Sequence, residues 1–160
     1  MARETGAFRG DELYVLEGVL YDYLHFPEEG YVIFDECIGD RVVGFIVFGR
    51  TPLTAYGWDI YWLAVENDCQ GNGYGKRLVQ KVVDYIQLQM GKAVLRVETS
   101  SQNMYAHARN LYTKMGFKQA GVIHDFYCEG DDNIIYYKEL VSKSNSPFNY
   151  DDKQDLSICQ

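Results

Sequence analysis

The densest chemistry in this 160-residue chain lies in one short segment, Gln70-Gly71-Asn72-Gly73-Tyr74-Gly75-Lys76. Its glycines let the backbone approach a ligand without Cβ clashes. The segment joins a strand pattern to a helix pattern. The orphan N–H groups of the helix start therefore converge there, and the macrodipole favours an anion. A phosphate or pyrophosphate suits these residues. The loop is neither of two common nucleotide loops. A Walker A loop needs GxxxxGK[ST]; here Arg77 replaces the hydroxyl residue and Gln70 the first glycine. The dinucleotide fingerprint GxGxxG fails because Lys76 stands at its third glycine. Taken alone, the loop is equally well explained as a tight strand-to-helix turn.

Other reactive side chains carry less. His25, His107 and His124 are too dispersed for a metal site. Cys37, Cys69, Cys128 and Cys159 are scattered, with no CxxC, so neither zinc nor a disulfide framework is expected. Cys69 borders the glycine loop, where a helix start lowers a thiol pKa and could make the loop oxidation-sensitive. Asp131-Asp132-Asn133 reads as a solvated turn rather than a calcium loop. Tyr56, Trp58, Tyr61, Trp62 and Tyr127 either line an acceptor pocket or serve as packing.

The elements that position these residues follow from periodicity. Leu13, Leu16, Leu20 and Leu24 mark a helix that Pro27 and Gly30 end. Tyr31–Glu36 and Arg41–Arg50 read as a hairpin about Gly39-Asp40, and Tyr56–Val65 as a third strand. Leu78, Val79, Val82, Val83, Ile86 and Met90 give the helix after the loop, with Gly91 at its C-cap. Ala93–Thr99 is a strand. Ser100 and Ser101 are expected to cap a helix running through Met115 to Gly116. Val122–Tyr127 and Ile134–Leu140 form a closing pair around a turn at 129–133. This order predicts an α+β fold with a mixed sheet, not a doubly wound one. Periodicity vanishes after Val141. One domain over 1–141 and a flexible C-terminal tail over 142–160 are expected.

Composition bounds the partners. Hydrophobic residues are 47% and charged residues 24%, which suits one globular domain. Fifteen Lys+Arg against 23 Asp+Glu give a net charge of −8. That argues against non-specific nucleic-acid or anionic-membrane binding. It suits a cationic substrate, or simply solubility. No stretch matches a membrane span or a signal peptide, so a cytoplasmic protein is expected.

Two segments together resemble a known family. Leu63-Ala64-Val65 followed by Gln70-Gly71-Asn72-Gly73-Tyr74-Gly75 is similar to the acetyl-coenzyme-A motif of the GNAT N-acetyltransferases, Q-x-x-G-x-G/A after an L-A-V-like strand end. Ala108-Arg109-Asn110-Leu111-Tyr112-Thr113-Lys114-Met115-Gly116-Phe117 resembles the family's A-x-x-L-Y-x-K-x-G-F. The resemblance spans about Val32 to Leu140, and the family's first strand is shortened or missing ahead of Asp11. Tyr105 stands where many members carry Asn, a variation that Asp125-Phe126-Tyr127 and Gly130-Asp131-Asp132 accompany in one subset.

The resemblance implies a GNAT-like mixed, mostly antiparallel sheet of about six or seven strands flanked by helices. It implies acetyl-CoA as cosubstrate and no metal. The pantetheine arm would pair with the backbone of Leu63, Ala64 and Val65. The pyrophosphate would rest on Gln70, Gly71, Asn72, Gly73, Tyr74, Gly75 and Lys76. Acetyl would pass directly to an amine (small amine, amino acid, peptide or protein) in a ternary complex. An alkyl amine near pKa 10.4 is about one part in two thousand neutral at pH 7, a cost of about 4–5 kcal/mol, so a base is required. Asp59, matching the base position of histone-type members, is the first candidate. Strand alternation is expected to put Asp59, Tyr61, Leu63 and Val65 on one face. Glu98 on the next strand is the second candidate. Either could instead be a structural carboxylate. Tyr112 would protonate, or hydrogen-bond to, the departing thiolate. Exposed sheet edges in the family allow a homodimer. The alternative is a non-catalytic acyl-CoA-binding regulatory module that kept the loop and lost the chemistry.

Overall fold

The computed structural model describes Glu17, Gly18, Tyr21, His25 and residues 30–141. The expected first helix therefore falls mostly outside the described residues; the four of its region that are described are helical. The expected tail over 142–160 lies outside them too.

β-Branched and aromatic runs give six strands: β1 Tyr31–Ile38, β2 Arg41–Arg50, β3 Gly57–Val65, β4 Lys92–Ser100, β5 Lys118–Cys128 and β6 Asp131–Val141. They form one sheet in the order β1-β2-β3-β4-β6-β5. Every neighbouring pair is antiparallel except β3 with β4. The fold is thus the mixed, mostly antiparallel α+β sheet that the sequence predicted. Helix α1, Tyr74–Gln89, supplies the crossover between the parallel strands, and α2, Ala106–Lys114, follows β4.

The core lies between the sheet and α1. Leu78, Val79, Val82, Val83 and Ile86 recur at helical spacing and are buried on one face. They meet Ile46, Phe48, Trp58, Ile60, Leu95 and Val97. Trp58 is therefore core, not pocket. Gly44 on β2 lets α1 come close, because a Cβ there would sit 3.2 Å from Leu78 Cδ1 and 3.1 Å from the Ala64 carbonyl oxygen.

Four local expectations are corrected. Met90, in extended conformation, closes α1 by donating its N–H to the Ile86 carbonyl (2.9 Å), so Gly91 is not the C-cap. Ser100 and Ser101 do not cap α2. Ser100 ends β4, its hydroxyl bonds Asp131, and the Ser101 hydroxyl accepts the Asp132 N–H (2.9 Å). With those hydroxyls committed to the next hairpin, a 3-10 turn at Asn103–Tyr105 precedes α2, which starts at Ala106 without a side-chain cap. The closing turn is Glu129-Gly130, shorter than expected, because β6 already begins at Asp131. Gly116 does end α2, in the left-handed region (φ 81°). Gly116 N–H bonds the Thr113 carbonyl and Phe117 N–H bonds the Tyr112 carbonyl, both at 3.0 Å, a Schellman closure.

The fourth correction matters most for the site. Opposite Val47 and Phe48, β3 carries one extra residue: Phe48 pairs Ile60 and Val47 pairs Trp62, leaving Tyr61 in a bulge. Period-2 alternation breaks there. Trp58, Ile60, Leu63 and Val65 join the α1 side, while Tyr61 and Trp62 join Phe45, Val47 and Ala64 on the other. Asp59 and Tyr61 therefore do not share a face with Leu63 and Val65.

Candidate active site

The bulge coincides with a parting of strands. β3 and β4 pair only from Gly57–Val94 to Ile60–Val97. Beyond that point the parallel ladder stops, so the β4-facing backbone edge of Tyr61–Val65 has no sheet partner. A cleft of about 170 Å³ opens there, lined among others by Tyr61, Leu63, Glu98, Tyr105, Tyr112 and Tyr127. Leu63 lines it directly; Ala64 and Val65 continue the same free edge. The Val65 carbonyl accepts the Gln70 side-chain amide (3.2 Å).

The glycine loop follows at the end of β3. Gly71 (φ 78°) and Gly73 (φ 81°) both take the left-handed conformation that glycine adopts without strain. Asn72 folds the loop by donating through Nδ2 to the carbonyls of Cys69 (3.1 Å) and Gln70 (3.3 Å). The first bonded helical N–H is that of Arg77, to Gly73 (3.0 Å), so Tyr74, Gly75 and Lys76 leave their N–H groups unspent at the helix start. No acidic residue lies in that first turn. Gln70 differs from its neighbours: its N–H already donates to the Asn67 carbonyl (3.2 Å) and its side chain to Val65 and Asn67. The donors free to meet an anion thus start at Gly71. Gly75 brings this helix start against α2, since a Cβ there would lie 3.2 Å from Leu111 Cδ2, one residue before Tyr112. The two sequence signatures, 37 positions apart at Gly75 and Tyr112, become neighbours.

Tyr112 is 4% exposed, its ring packed on Phe117 and Tyr136. Burial pushes its hydroxyl well above the usual phenol range. No group among the described residues hydrogen-bonds that hydroxyl, which lines the cleft unspent.

The two candidate carboxylates have different surroundings. Asp59 is 6% exposed and absent from the cleft wall. Oδ2 accepts the Thr51 hydroxyl (2.6 Å) and Oδ1 accepts Arg96 Nε (2.6 Å). That contact raises the Arg96 pKa further, outweighing the desolvation that lowers it. Glu98 lines the cleft with its side chain about one-third exposed. Its Oε1 faces Arg96 Nη1 (3.2 Å) and its Oε2 accepts Asn133 Nδ2 (2.7 Å). Arg96 and Asn133 were not singled out in the sequence. A lone Arg between an Asp 37 residues back and a Glu two residues on carries no local signal, and nothing marks an Asn in a strand as buried.

The outer wall comes from β5. Between Ile123–Asn133 and Cys128–Asp131 the register slips, so residues 124–127 bulge out against Asp132 alone. Asp132 Oδ1 accepts the Asp125 N–H (3.0 Å), and Asp125 Oδ1 accepts the Gly130 N–H (2.7 Å). Asp125 is left at φ 54°. This arch carries Tyr127 to the cleft. Among the described residues no group of His, Cys, Asp and Glu could hold a metal ion. No described helix is long and apolar enough to cross a membrane.

Parted parallel strands, a glycine loop at a helix start and a buried tyrosine between them define an acyl-transfer architecture, and comparison with known proteins agrees. Residues 27–119 match the family model described as acetyltransferase (GNAT) domain. The uncharacterized N-acetyltransferase YvbK of Bacillus subtilis (strain 168) is 30% identical over 138 residues, 83% of this chain and 84% of that protein. A crystal structure of a GNAT-family protein from Desulfovibrio desulfuricans superposes with a TM-score of 0.79 at 34% identity, covering 86% of this chain and 87% of that one. An aminoglycoside 6'-N-acetyltransferase complexed with coenzyme A shares the fold (TM-score 0.62, 20% identity, 78% and 89% covered). The chain belongs to the GNAT family and is an N-acetyltransferase.

Proposed function

We propose that the chain transfers acetyl from acetyl-CoA directly to a primary amine in a ternary complex. The observation that carries this reading is the parting of β3 from β4 beyond Ile60–Val97, where a cleft opens that Leu63, Glu98 and Tyr112 line. The residues fit the cosubstrate. The edge of Leu63, Ala64 and Val65 that β4 leaves unpaired, apart from the Val65 carbonyl held by Gln70, offers backbone groups to the amides of a pantetheine arm. The N–H groups from Gly71 to Lys76 suit a pyrophosphate. The thioester supplies an activated acyl group, and the protein holds the amine in line with it.

Two side chains take the proton roles. Glu98, open to the cleft, accepts the ammonium proton directly or through water. Asp59 has both oxygens engaged and stays out of the cleft, so it is not the group that meets the amine. Tyr112 donates to the departing thiolate sulfur. With its pKa raised by burial, full proton transfer to a thiol near 8.5 is steeply uphill, and the hydrogen bond itself does the stabilising. The proposal includes a cytoplasmic location, in keeping with free thiols at Cys37, Cys69 and Cys128. It also includes a homodimer through the exposed outer strand β5.

Thermal unfolding with and without millimolar acetyl-CoA tests the binding half. At 100 times Kd the ligand adds about 2.7 kcal/mol, a shift of several degrees. No shift at saturating ligand would refute the site. A shift without amine-dependent thiol release from any amine would favour the non-catalytic binding module.

A further inference from the structure

The described wall of the cleft has an unusual charge arrangement. Arg96 is the cation nearest Glu98, and it is clamped from both sides: Nε on Asp59 Oδ1 (2.6 Å) and Nη1 on Glu98 Oε1 (3.2 Å). Two carboxylates against one guanidinium leave this patch with a net charge of −1. Next to it, fully buried Asp131 receives the Ser100 hydroxyl. Behind Glu98, buried Asn133 (1% exposed) gives it Nδ2, and the Asn133 Oδ1 acceptor has no partner among the described residues. The remaining described lining is uncharged, combining aromatic rings such as Tyr61, Trp62 and Tyr127 with aliphatic and hydroxyl side chains. Burial, then the charge of Asp59, holds the Tyr61 hydroxyl protonated above its ordinary range, so it adds no anion.

Glu98 is the charged side chain among the described residues that line the cleft, so this lining attracts a cation and presents none to a carboxylate. An α-amino acid brings its carboxylate within two bonds of its ammonium carbon. That group would face Glu98 across the cleft, with the Arg96 guanidinium behind it already paired to Asp59 and Glu98. We infer that the acceptor is an amine carrying no carboxylate beside its amino group, and that the Asp59–Arg96–Glu98 clamp enforces this choice. Asp59 is in this view a specificity-determining residue acting through Arg96. The inference rests on the N-acetyltransferase reading and narrows it.

The test compares matched acceptors on the wild-type protein, read as thiol release from acetyl-CoA. One triplet is phenethylamine, phenylalanine amide and phenylalanine. A second is 3-methylbutylamine, leucinamide and leucine. The amide keeps the α-substituent without the charge, so it separates bulk from charge. In whichever triplet turns over, the acid should fall at least about tenfold below amine and amide in kcat/KM, a difference of about 1.4 kcal/mol. Asp59→Asn removes one of the two negative charges on Arg96, leaving it paired to Glu98 alone, and should narrow that gap. A merely structural role for Asp59 would lower all three acceptors alike. An acid equal to or better than its amine overturns the inference and leaves the N-acetyltransferase reading standing. An amide as poor as its acid overturns it too, since bulk rather than charge would then decide. No release from any member of either triplet overturns both.

Discussion

Replacing Tyr112 with Phe removes one oxygen from a position where the fold gives it no partner. The ring keeps its packing on Phe117 and Tyr136, 5.6 Å and 6.0 Å between centroids. No donor or acceptor among the described residues loses a bond, because none contacts the hydroxyl. The melting temperature should therefore stay within about 2 °C of wild type. Acetyl-CoA affinity should also stay close, since binding rests on the backbone of β3 and the glycine loop. The loss falls on the departing thiolate. Removing a single preorganised donor to a developing anion costs about 10²–10³ in kcat, or about 2.7–4 kcal/mol. The assay is initial-rate thiol release at saturating acetyl-CoA and amine, alongside acetyl-CoA titration by thermal shift. A kcat within about twofold of wild type would refute the role of Tyr112. So would equal losses in kcat and affinity, which would mark a packing defect.

The other predictions are briefer. Glu98→Gln should cut kcat by about 10²–10⁴, the usual worth of a positioned base, with acetyl-CoA affinity unchanged; a loss that vanishes at high pH, where free amine is plentiful, is expected. Gly73→Glu puts a side chain on a φ of 81° and a carboxylate at an anion site, and should abolish the acetyl-CoA thermal shift. Asp132 has its pKa lowered, first by the Asp125 N–H and also by His124. Its folded pKa lies below the ordinary 3.8, so its contribution is complete above 3.8 and lost as pH falls beneath that. Asp132→Asn should thus destabilise at pH 7 but converge on wild type as the pH falls below 3.8, read by urea melts. Leu78→Ala, under Gly44 in the core, should cost about 2–5 kcal/mol by the same melts.

What could be read in the chain depended on how local its cause was. The glycine loop, α1 and the Gly116 stop were legible because each is set by adjacent residues: left-handed glycines, a helical apolar stripe, a Schellman closure. The wall of the cleft was not. The run Trp58-Asp59-Ile60-Tyr61-Trp62-Leu63 looks like an ordinary strand, and its bulge depends on the partner strand β2. The gap of three from Ile60 to Leu63, in an otherwise two-residue apolar alternation, is the one trace it leaves. Asp59 looked like a base because its strand position matched one; its Thr51 and Arg96 partners, 8 and 37 residues away, engage both of its oxygens. Ser100 and Ser101 had good capping chemistry, yet the β5–β6 hairpin, 31 residues on, claimed both hydroxyls. Side-chain type fixed what each group could do, and long-range pairing fixed which partner it met.

Direct transfer in a ternary complex is tested most directly by two-substrate initial rates. Thiol release is measured across a grid of acetyl-CoA and amine concentrations. The account predicts release that requires both substrates and reciprocal plots that intersect. Parallel lines would mean an acetyl-enzyme intermediate, and release indifferent to the amine would mean no acetyl acceptor chemistry in this cleft; either contradicts the account.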